Sequence, residues 1–179
     1  KREEPIAGEK IGLLLSGGAA RGAFQAGVVS ALARAGLRFE LIVGTSVGAV
    51  NGAALLVGLG ADLDSVWRES LSELIWFDRR LIWRGRSPFR ISEAMRVMVE
   101  RYGDVDRLLS HPTELLISTT EWSTGQNVLF STHDGGNWTE EERILQFLAS
   151  LTIPWLCSER IVIRGKRYCD GSLSNNMPF

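Results

Sequence analysis

The sequence predicts an α/β fold in which a mostly parallel central sheet carries helices on both faces. Short apolar runs alternate with longer segments that favour helix, and glycine-bearing turns stand where the strands should end. The opening order of strand, loop, helix, strand, turn and helix is typical of such sheets. With 179 residues, 45% of them hydrophobic and 23% charged, the chain is long enough for one domain with a continuous core.

The first half of the chain alternates strand and helix. Lys10 to Ser16 is a short apolar run, typical of a central strand, and it breaks at the glycine-rich loop Gly17 to Gly22. Ala23 to Ala35 favours helix and stops at the glycine that follows. Leu37 to Val43 predicts a second strand. The small, uncharged residues from Ala49 to Leu59 then predict a helix buried against the sheet.

The second half is predicted from amphipathicity, capping and turn residues. The apolar side chains of Asp62 to Ile75 fall on one side of a helix. Thr139 and Glu142 form the capping-box pattern that starts another helix, and Arg164-Gly165-Lys166 is a turn between two short strands. The remaining predicted elements are helices over Ser92 to Tyr102 and Thr139 to Ser150, and strands over Thr113 to Thr119, Val128 to Ser131, Arg160 to Ile163 and Arg167 to Cys169.

Composition excludes several function classes. The net charge of −1 provides no global field that would recruit nucleic acid. The two cysteines, Cys157 and Cys169, and the two histidines, His111 and His133, do not cluster, so neither a disulfide framework nor a metal site is predicted. We therefore expect no metal, no cofactor and no nucleic-acid partner.

One uncharged stretch, Leu41 to Gly60, has the length of a membrane span. Gly44, Gly48 and Gly52 recur every fourth residue in it, which is also the spacing of a transmembrane packing face. A buried strand followed by a helix lying close to the sheet explains these residues better. The N-terminal residues contain no apolar signal region. We expect a cytoplasmic or peripheral membrane protein.

Ser46 is the first candidate nucleophile. It stands in Gly44-Thr45-Ser46-Val47-Gly48, a Gly-x-Ser-x-Gly pattern between a predicted strand and a predicted helix. This arrangement lifts a serine hydroxyl to the top of a sheet, while the helix aims its free N–H groups and positive dipole end at the reacting atoms. An ordinary glycine-rich turn has the same pattern, so the rest of the chain must decide between the two interpretations.

Three glycine-bearing turns are predicted at strand ends: Gly17 to Gly22, Gly44 to Gly48, and Asp170-Gly171-Ser172. Ligands of open α/β sheets bind beyond the carboxyl ends of the strands, so we expect these turns to converge. A serine, an acid and a loop of backbone N–H groups would then share one crevice. Those are the parts that acyl transfer requires: a nucleophile, a proton acceptor and an oxyanion hole.

Four motifs in this order resemble the patatin-like phospholipase family. They are Gly17-Gly18-Ala19-Ala20-Arg21-Gly22, Gly44-Thr45-Ser46-Val47-Gly48, Ala149-Ser150-Leu151-Thr152-Ile153-Pro154, and Asp170-Gly171-Ser172-Leu173-Ser174-Asn175-Asn176-Met177-Pro178. The resemblance implies a modified α/β-hydrolase-like three-layer sandwich that cleaves fatty-acyl esters of lipids with a Ser–Asp dyad. It also implies that 1–179 is a single acyl hydrolase domain truncated at its C-terminus, because family members normally continue further.

The resemblance also assigns roles to individual residues. Two positions depart from the family pattern, since Ala19 replaces a third glycine and Ser172 replaces the last glycine of Asp-Gly-Gly. If residue 19 needs a positive φ, alanine there costs about 1 kcal/mol. The implied roles are Ser46 as nucleophile, Asp170 as base, the amides of Gly17, Gly18 and Ala19 as oxyanion hole, and Arg21 as support of that loop or partner of an anionic head group.

Several alternatives remain beside this interpretation. Asp134-Gly135-Gly136 spells the family triplet literally, but it stands in a predicted turn and lacks the continuation that follows Asp170, so Asp170 is favoured. His111 or His133 could serve a Ser-His-Asp esterase. The first loop, Gly17 to Gly22, resembles a nucleotide-binding turn but lacks the full glycine pattern of such turns. A catalytically weak or silent lipid-binding protein could keep the same fold.

The segment Trp76 to Arg86 mixes aromatic and basic residues. Trp76, Phe77 and Trp83 could enter a lipid interface while Arg79 and Arg80 meet phosphates. The same composition also fits a lid, or aromatic side chains packed on the core. The expected partners are therefore a lipid ester substrate and a membrane surface contacted through this segment.

Overall fold

The structure, a computed structural model, describes residues 10–73, Trp83, 104–157 and 159–179. The helix predicted over Ser92 to Tyr102 lies outside them. The described residues form a six-stranded sheet flanked by helices. The strands are β1 (Gly12–Leu15), β2 (Leu41–Thr45), β3 (Glu114–Glu121), β4 (Asn127–Ser131), β5 (Ile161–Ile163) and β6 (Lys166–Asp170), and the helices are α1 (Gly22–Arg34), α2 (Val47–Ala54), α3 (Leu63–Glu73), α4 (Val105–Ser110) and α5 (Glu140–Leu151).

Strand direction confirms the predicted fold class. β1, β2 and β3 are parallel neighbours, whereas β4 and β6 each pair antiparallel with β3. β5 is antiparallel to β6 and therefore runs with the first three strands. The result is a mixed sheet whose strands are mostly parallel, consistent with a three-layer α/β fold.

The long strand β3 brings the ends of β2 and β6 together. β2 pairs with its first half and ends with Thr45 opposite Ser118. β6 pairs with its second half and ends with Asp170 opposite Thr119. Because β4 occupies the other edge at both of these positions, β2 and β6 lie end to end along one edge of β3. Their carboxyl ends therefore meet.

The second strand begins later than the sequence predicts, at Leu41 instead of Leu37. Residues after α1 are used to close that helix: Gly36 has φ 78°, its N–H donates to Ala33 O at 3.0 Å, and the Leu37 N–H donates to Leu32 O at 3.2 Å. This pair of bonds is a Schellman motif, which satisfies the last carbonyls of the helix. The apolar Leu37 therefore belongs to a helix cap.

Capping and turn residues account for most of the other boundaries. Both hydrogen bonds of the predicted Thr139 and Glu142 capping box are present at the start of α5. Arg164 and Gly165 have φ values of 49° and 79°, the backbone of a tight hairpin turn between β5 and β6. The sequence did not predict α4, because six residues are too few to display a helical period.

α2 packs so closely on the sheet that only small residues fit between them. A Cβ on Gly48 would collide with the Leu15 carbonyl, and one on Gly44 would collide with the Ala49 backbone. Ile42 and Leu115 are 0% exposed in the core beneath. In the described part of the chain, one helical run, Val47–Glu69, has the length and mean hydropathy (1.3) of a membrane span, but 56% of the window is buried in the fold. Core helices commonly pass this test.

Candidate active site

Ser46 lies at the sharp turn between β2 and α2. Its φ of 54° and ψ of −128° are unusual for a residue with a side chain, as expected for a strained nucleophile elbow. The Ser46 N–H donates to Ser150 Oγ at 2.8 Å, and Ser150 Oγ donates in turn to the Ser118 carbonyl at 2.7 Å. The side chain of Ser150, on α5, thus ties the elbow to the middle strand of the sheet.

Asp170 lies at the carboxyl end of β6 and is 0% exposed. Its Oδ1 accepts from the Ser172 N–H at 2.8 Å and from Ser172 Oγ at 2.6 Å. Oδ2 is buried and accepts no hydrogen bond within the part of the chain that the structure describes. The serine that departs from the family pattern therefore holds one carboxylate oxygen and leaves the other free.

The pKa of Asp170 depends on its burial and on two serines, Ser172 and Ser46. Burial raises this pKa, because a buried carboxylate loses its hydration, while the two bonds from Ser172 and the Ser46 hydroxyl lower it in part. The Ser46 hydroxyl therefore lies near the carboxylate, although it donates no hydrogen bond to Oδ2 in this structure. A buried carboxylate with a raised pKa beside a serine hydroxyl can serve as a base.

The glycine loop lies against the same turn. A Cβ on Gly17 would lie 3.1 Å from the Ser46 Cβ. The Gly17 N–H, however, donates to Asn176 Oδ1 at 2.9 Å, so in this structure that side chain occupies the donor that the family resemblance assigns to an oxyanion hole. Among the described residues the N–H groups of Gly18 and Ala19 have no partner. These two N–H groups are therefore available as hydrogen-bond donors.

Ala19 and Arg21 are the other two loop residues to which the sequence analysis gave attention, one for its backbone conformation and one for its charge. Ala19 has φ 47°, so the positive φ that was considered for this position is present. An L-residue pays roughly 1–2 kcal/mol for this conformation. Arg21 is exposed, and its side chain lies over Gly18, where an added Cβ would come 3.6 Å from Arg21 Nε. The guanidinium has no hydrogen-bond or ion-pair partner within the described residues.

A buried amide network supports the loop from behind. Asn51, on α2, is 0% exposed; it accepts from Trp67 Nε1 at 2.8 Å and donates to Gly22 O at 3.1 Å and to Gln25 Oε1 at 2.9 Å. Gln25 Nε2 donates at 3.2 Å to the carbonyl of Ser16, the residue before the glycine loop. The helix that carries Ser46 is thereby joined to the loop that carries the free amides.

The rival candidates lie at the opposite end of the sheet. His111 precedes β3, and its Nδ1 accepts from the Thr113 N–H at 3.0 Å, while His133 Nε2 lies 2.9 Å from the His111 carbonyl. Asp134 is a turn residue that accepts from Gly136 N at 3.1 Å. The length of the β3 segment beside β2 separates this end from Ser46 by roughly 13 Å. A triad of Ser46 with either histidine does not form in this structure.

Sequence reasoning missed three supporting residues, namely Ser150, Asn176 and Asn51. Ser150 and Asn176 stand in motifs that carried the family resemblance, but nothing local assigns them a contact. Asn51 is a polar residue in a run of small and apolar ones, and that contrast is its signal.

Two further predictions, the absence of a metal site and contact with a membrane, stay predictions. Among the residues that the structure describes, no group of three His, Cys, Asp or Glu side chains could hold a metal ion. Of the residues predicted to contact a membrane, Trp76, Phe77, Arg79 and Arg80 lie outside the described residues, and Trp83 is 92% exposed.

Comparison with known proteins identifies the family. A family model described as patatin-like phospholipase matches residues 13–179. The chain is 29% identical to patatin-like phospholipase domain-containing protein 5 of Mus musculus over 174 residues, which are 93% of the chain and 38% of that protein. It is 30% identical to an uncharacterized NTE family protein of Mycobacterium bovis over 185 residues, 97% of the chain and 28% of that protein.

A shorter match adds a named activity in a relative. The chain is 52% identical to lysophospholipase nte1 of Aspergillus terreus over 48 residues, which are 27% of the chain and 3% of that protein. The chain thus spans less than two fifths of each of these relatives. Since the family model covers nearly its whole length, the chain belongs to the patatin-like phospholipase family.

Proposed function

We propose that this domain hydrolyses fatty-acyl esters of lipids, with Ser46 as nucleophile and Asp170 as base. The observation that carries the proposal is the Ser46 elbow beside a buried carboxylate, Asp170, whose Oδ2 has no hydrogen-bond partner among the described residues. Lipid substrates are inferred from relatives that are named lysophospholipase and patatin-like phospholipase.

In the first half of the proposed reaction, Ser46 Oγ attacks the ester carbonyl while Asp170 Oδ2 takes the hydroxyl proton. The raised pKa of Asp170 favours this transfer, because a more basic carboxylate is a better proton acceptor. The developing oxyanion accepts hydrogen bonds from the amides of Gly18 and Ala19. The intermediate then collapses, the alcohol leaves with the proton from Asp170, and the acyl group stays on Ser46.

In the second half, water attacks the acyl-serine and gives a proton to Asp170. The same two amides stabilise the second oxyanion. Its collapse releases the carboxylic acid, and the proton returns to Ser46 Oγ. The rigid contacts of Ser150 and Asn51 preorganise the elbow and the loop, so little reorganisation is needed in either half.

A fluorophosphonate probe tests the nucleophile. It should label the wild-type protein at Ser46 and fail to label Ser46→Ala. Ser110→Ala, a matched change at an exposed serine on α4, should label as the wild type does. Labelling of Ser46→Ala at the wild-type level would refute the assignment.

Product analysis on phosphatidylcholine with two different acyl chains tests the substrate. The wild-type protein should release a fatty acid, and neither Ser46→Ala nor Asp170→Asn should do so above background. A catalytically silent lipid-binding domain would instead bind the vesicles, release no acid and take no label. The His111→Ala/His133→Ala double variant should keep most of the activity, because both histidines lie at the far end of the sheet.

We also propose that Trp76 to Arg86 contacts the lipid surface, on the strength of its sequence and of the exposed Trp83. Arginines near an anionic surface each contribute about 1 kcal/mol to binding. Arg79→Glu with Arg80→Glu should therefore weaken binding to anionic vesicles and leave the hydrolysis of a soluble ester unchanged. Binding that ignores both the substitutions and the anionic lipid would overturn this part.

A further inference from the structure

The side chain of Asn176 binds both backbone polar groups of Gly17, 159 residues earlier in the chain. Its Oδ1 accepts from the Gly17 N–H at 2.9 Å, and its Nδ2 donates to the Gly17 carbonyl at 3.5 Å. A backbone N–H can only donate, so the shorter bond fixes which end of the amide is the oxygen. One side chain thus pairs with a residue of the glycine loop as a neighbouring strand would, through one acceptor and one donor.

Asn176 also lies close to the candidate nucleophile. A Cβ placed on Gly17 would come 2.8 Å from Asn176 Oδ1 and 3.1 Å from the Ser46 Cβ. Since both atoms are so near one point, they are no more than about 6 Å apart. A side chain at residue 17 would force one of these neighbours to shift. Glycine at this position therefore allows the side chain of Asn176 to reach the loop beside Ser46.

The segment that carries Asn176 begins at the proposed base. Asp170 is followed by a single 3₁₀ turn, Gly171–Leu173. After it, the N–H groups of Ser174 and Asn175 both donate to the carbonyl of the first turn residue, at 3.1 and 2.9 Å. These short-range bonds leave the backbone little freedom between the base and Asn176. One compact segment therefore supplies the carboxylate and also reaches the glycine loop.

The glycine loop needs such a hold because of its backbone conformation. Ala19 has φ 47°, which is unfavourable for a residue with a side chain. A strained residue keeps its conformation only where the surrounding structure fixes the chain. On the helix side of Ala19, its carbonyl accepts from the Gly22 N–H. On the strand side, the Ser16 carbonyl is bonded, and so are both backbone groups of Gly17, the latter two to Asn176.

We propose that Asn176 is a positioning residue for the oxyanion loop. By holding Gly17 it keeps Ala19 in its strained conformation, and with it the two amides, of Gly18 and Ala19, that bind the oxyanion. The inference rests on the proposed function, which gives those amides their role. The opposite role would be a plug, in which Asn176 withholds the Gly17 N–H from the oxyanion and must leave before substrate binds. A plug needs only to occupy the N–H, so the second contact, to the carbonyl, favours positioning.

Steady-state kinetics of the full chain on a soluble p-nitrophenyl ester separate these roles. Asn176→Ala should lower kcat at least tenfold and leave KM within twofold, because oxyanion contacts act in the transition state and not on bound substrate. Asn137→Ala, the same change at an exposed asparagine near the start of α5, should keep kcat within twofold. A kcat raised by Asn176→Ala would indicate a plug, and either that result, an unchanged kcat or a change confined to KM would overturn the proposal.

Thermal unfolding tests the hold on the loop independently of activity. In the wild-type background, Ala19→Gly should raise the thermal midpoint by about 2–4 °C, because it relieves the positive φ. In the Asn176→Ala background the loop can relax, so the same substitution should gain less than half as much. Equal gains in the two backgrounds would refute the proposal even if kcat falls. A wild-type chain that hydrolyses no ester and takes no label at Ser46 would refute the proposed function, and this comparison would still decide whether Asn176 holds the loop.

Discussion

Replacing Asn51 by leucine should destabilise the protein strongly while changing side-chain size little. The substitution leaves three polar partners without a hydrogen bond: the Trp67 indole N–H, the Gly22 carbonyl and the Gln25 side-chain oxygen, which lie 2.8, 3.1 and 2.9 Å from Asn51. Each buried group that loses its partner costs about 1–3 kcal/mol. We expect a loss of about 3 kcal/mol, which corresponds to a fall of about 6–12 °C in thermal midpoint for a domain of this size.

Thermal and denaturant unfolding measure this loss directly. Asn137→Leu, the same change at an exposed position, should alter stability by no more than about 0.5 kcal/mol. In a Trp67→Phe background, where the indole N–H is already gone, Asn51→Leu should cost about 1 kcal/mol less. Turnover of a soluble ester should fall in kcat more than it rises in KM, since Gln25 would lose its hold on the Ser16 carbonyl. A loss below about 1 kcal/mol with unchanged kcat would refute the role of this network.

Four other predictions concern the elbow, the base and the glycine loop. Ser172→Gly removes the 2.6 Å hydrogen bond from Ser172 Oγ to Asp170 Oδ1, which lowers the pKa of Asp170. The acid limb of the pH profile of kcat/KM should therefore move to higher pH, and an acid limb at the wild-type pH would contradict this. Asp170→Asn should abolish turnover yet raise the thermal midpoint at neutral pH. Burial raises the pKa of Asp170 in the folded state, so the free energy of unfolding falls as pH rises through this pKa. The higher thermal midpoint of Asp170→Asn should therefore vanish in acid, where the wild-type carboxyl is protonated. A lower midpoint of Asp170→Asn at neutral pH would show that the buried charge does not destabilise the fold. Ala19→Gly should stabilise the fold by about 1 kcal/mol, or about 2–4 °C, because φ is 47°, and a destabilised variant would exclude strain there. Ser150→Ala leaves the Ser46 N–H unpaired and should cost about 1–3 kcal/mol and lower kcat, whereas wild-type kcat would mean that the elbow holds its shape alone.

The sequence predicted those features that a few neighbouring residues determine. The capping box at Thr139, the Arg164-Gly165 turn and the strand-turn-helix around Ser46 all depend on local backbone chemistry, and each is present. The convergence of the glycine turns was also predicted, but for an incomplete reason. β6 runs antiparallel to β2, so Asp170 reaches the site because two strands meet end to end on β3.

Hydrogen bonds between residues far apart in the chain could not be predicted from the sequence. Nothing near Asn176 indicates that its side chain takes the Gly17 N–H, and nothing near Ser150 indicates a bond to Ser46. The start of β2 was misjudged because Leu37 has the hydrophobicity of a strand residue but serves a helix cap. In each case tertiary context decides between local alternatives of similar energy.

The end-to-end meeting of β2 and β6 also has a consequence for synthesis of the chain. A nascent polypeptide that has emerged as far as α5 already holds Ser46, its glycine loop and Ser150, but not the carboxylate proposed to act as base. Asp170 arrives with the last hairpin, through contacts of high sequence separation, which form slowly. If Asp170 is the base as proposed, the catalytic pair is completed only when β6 docks, and a partly made domain would not yet hydrolyse lipid esters.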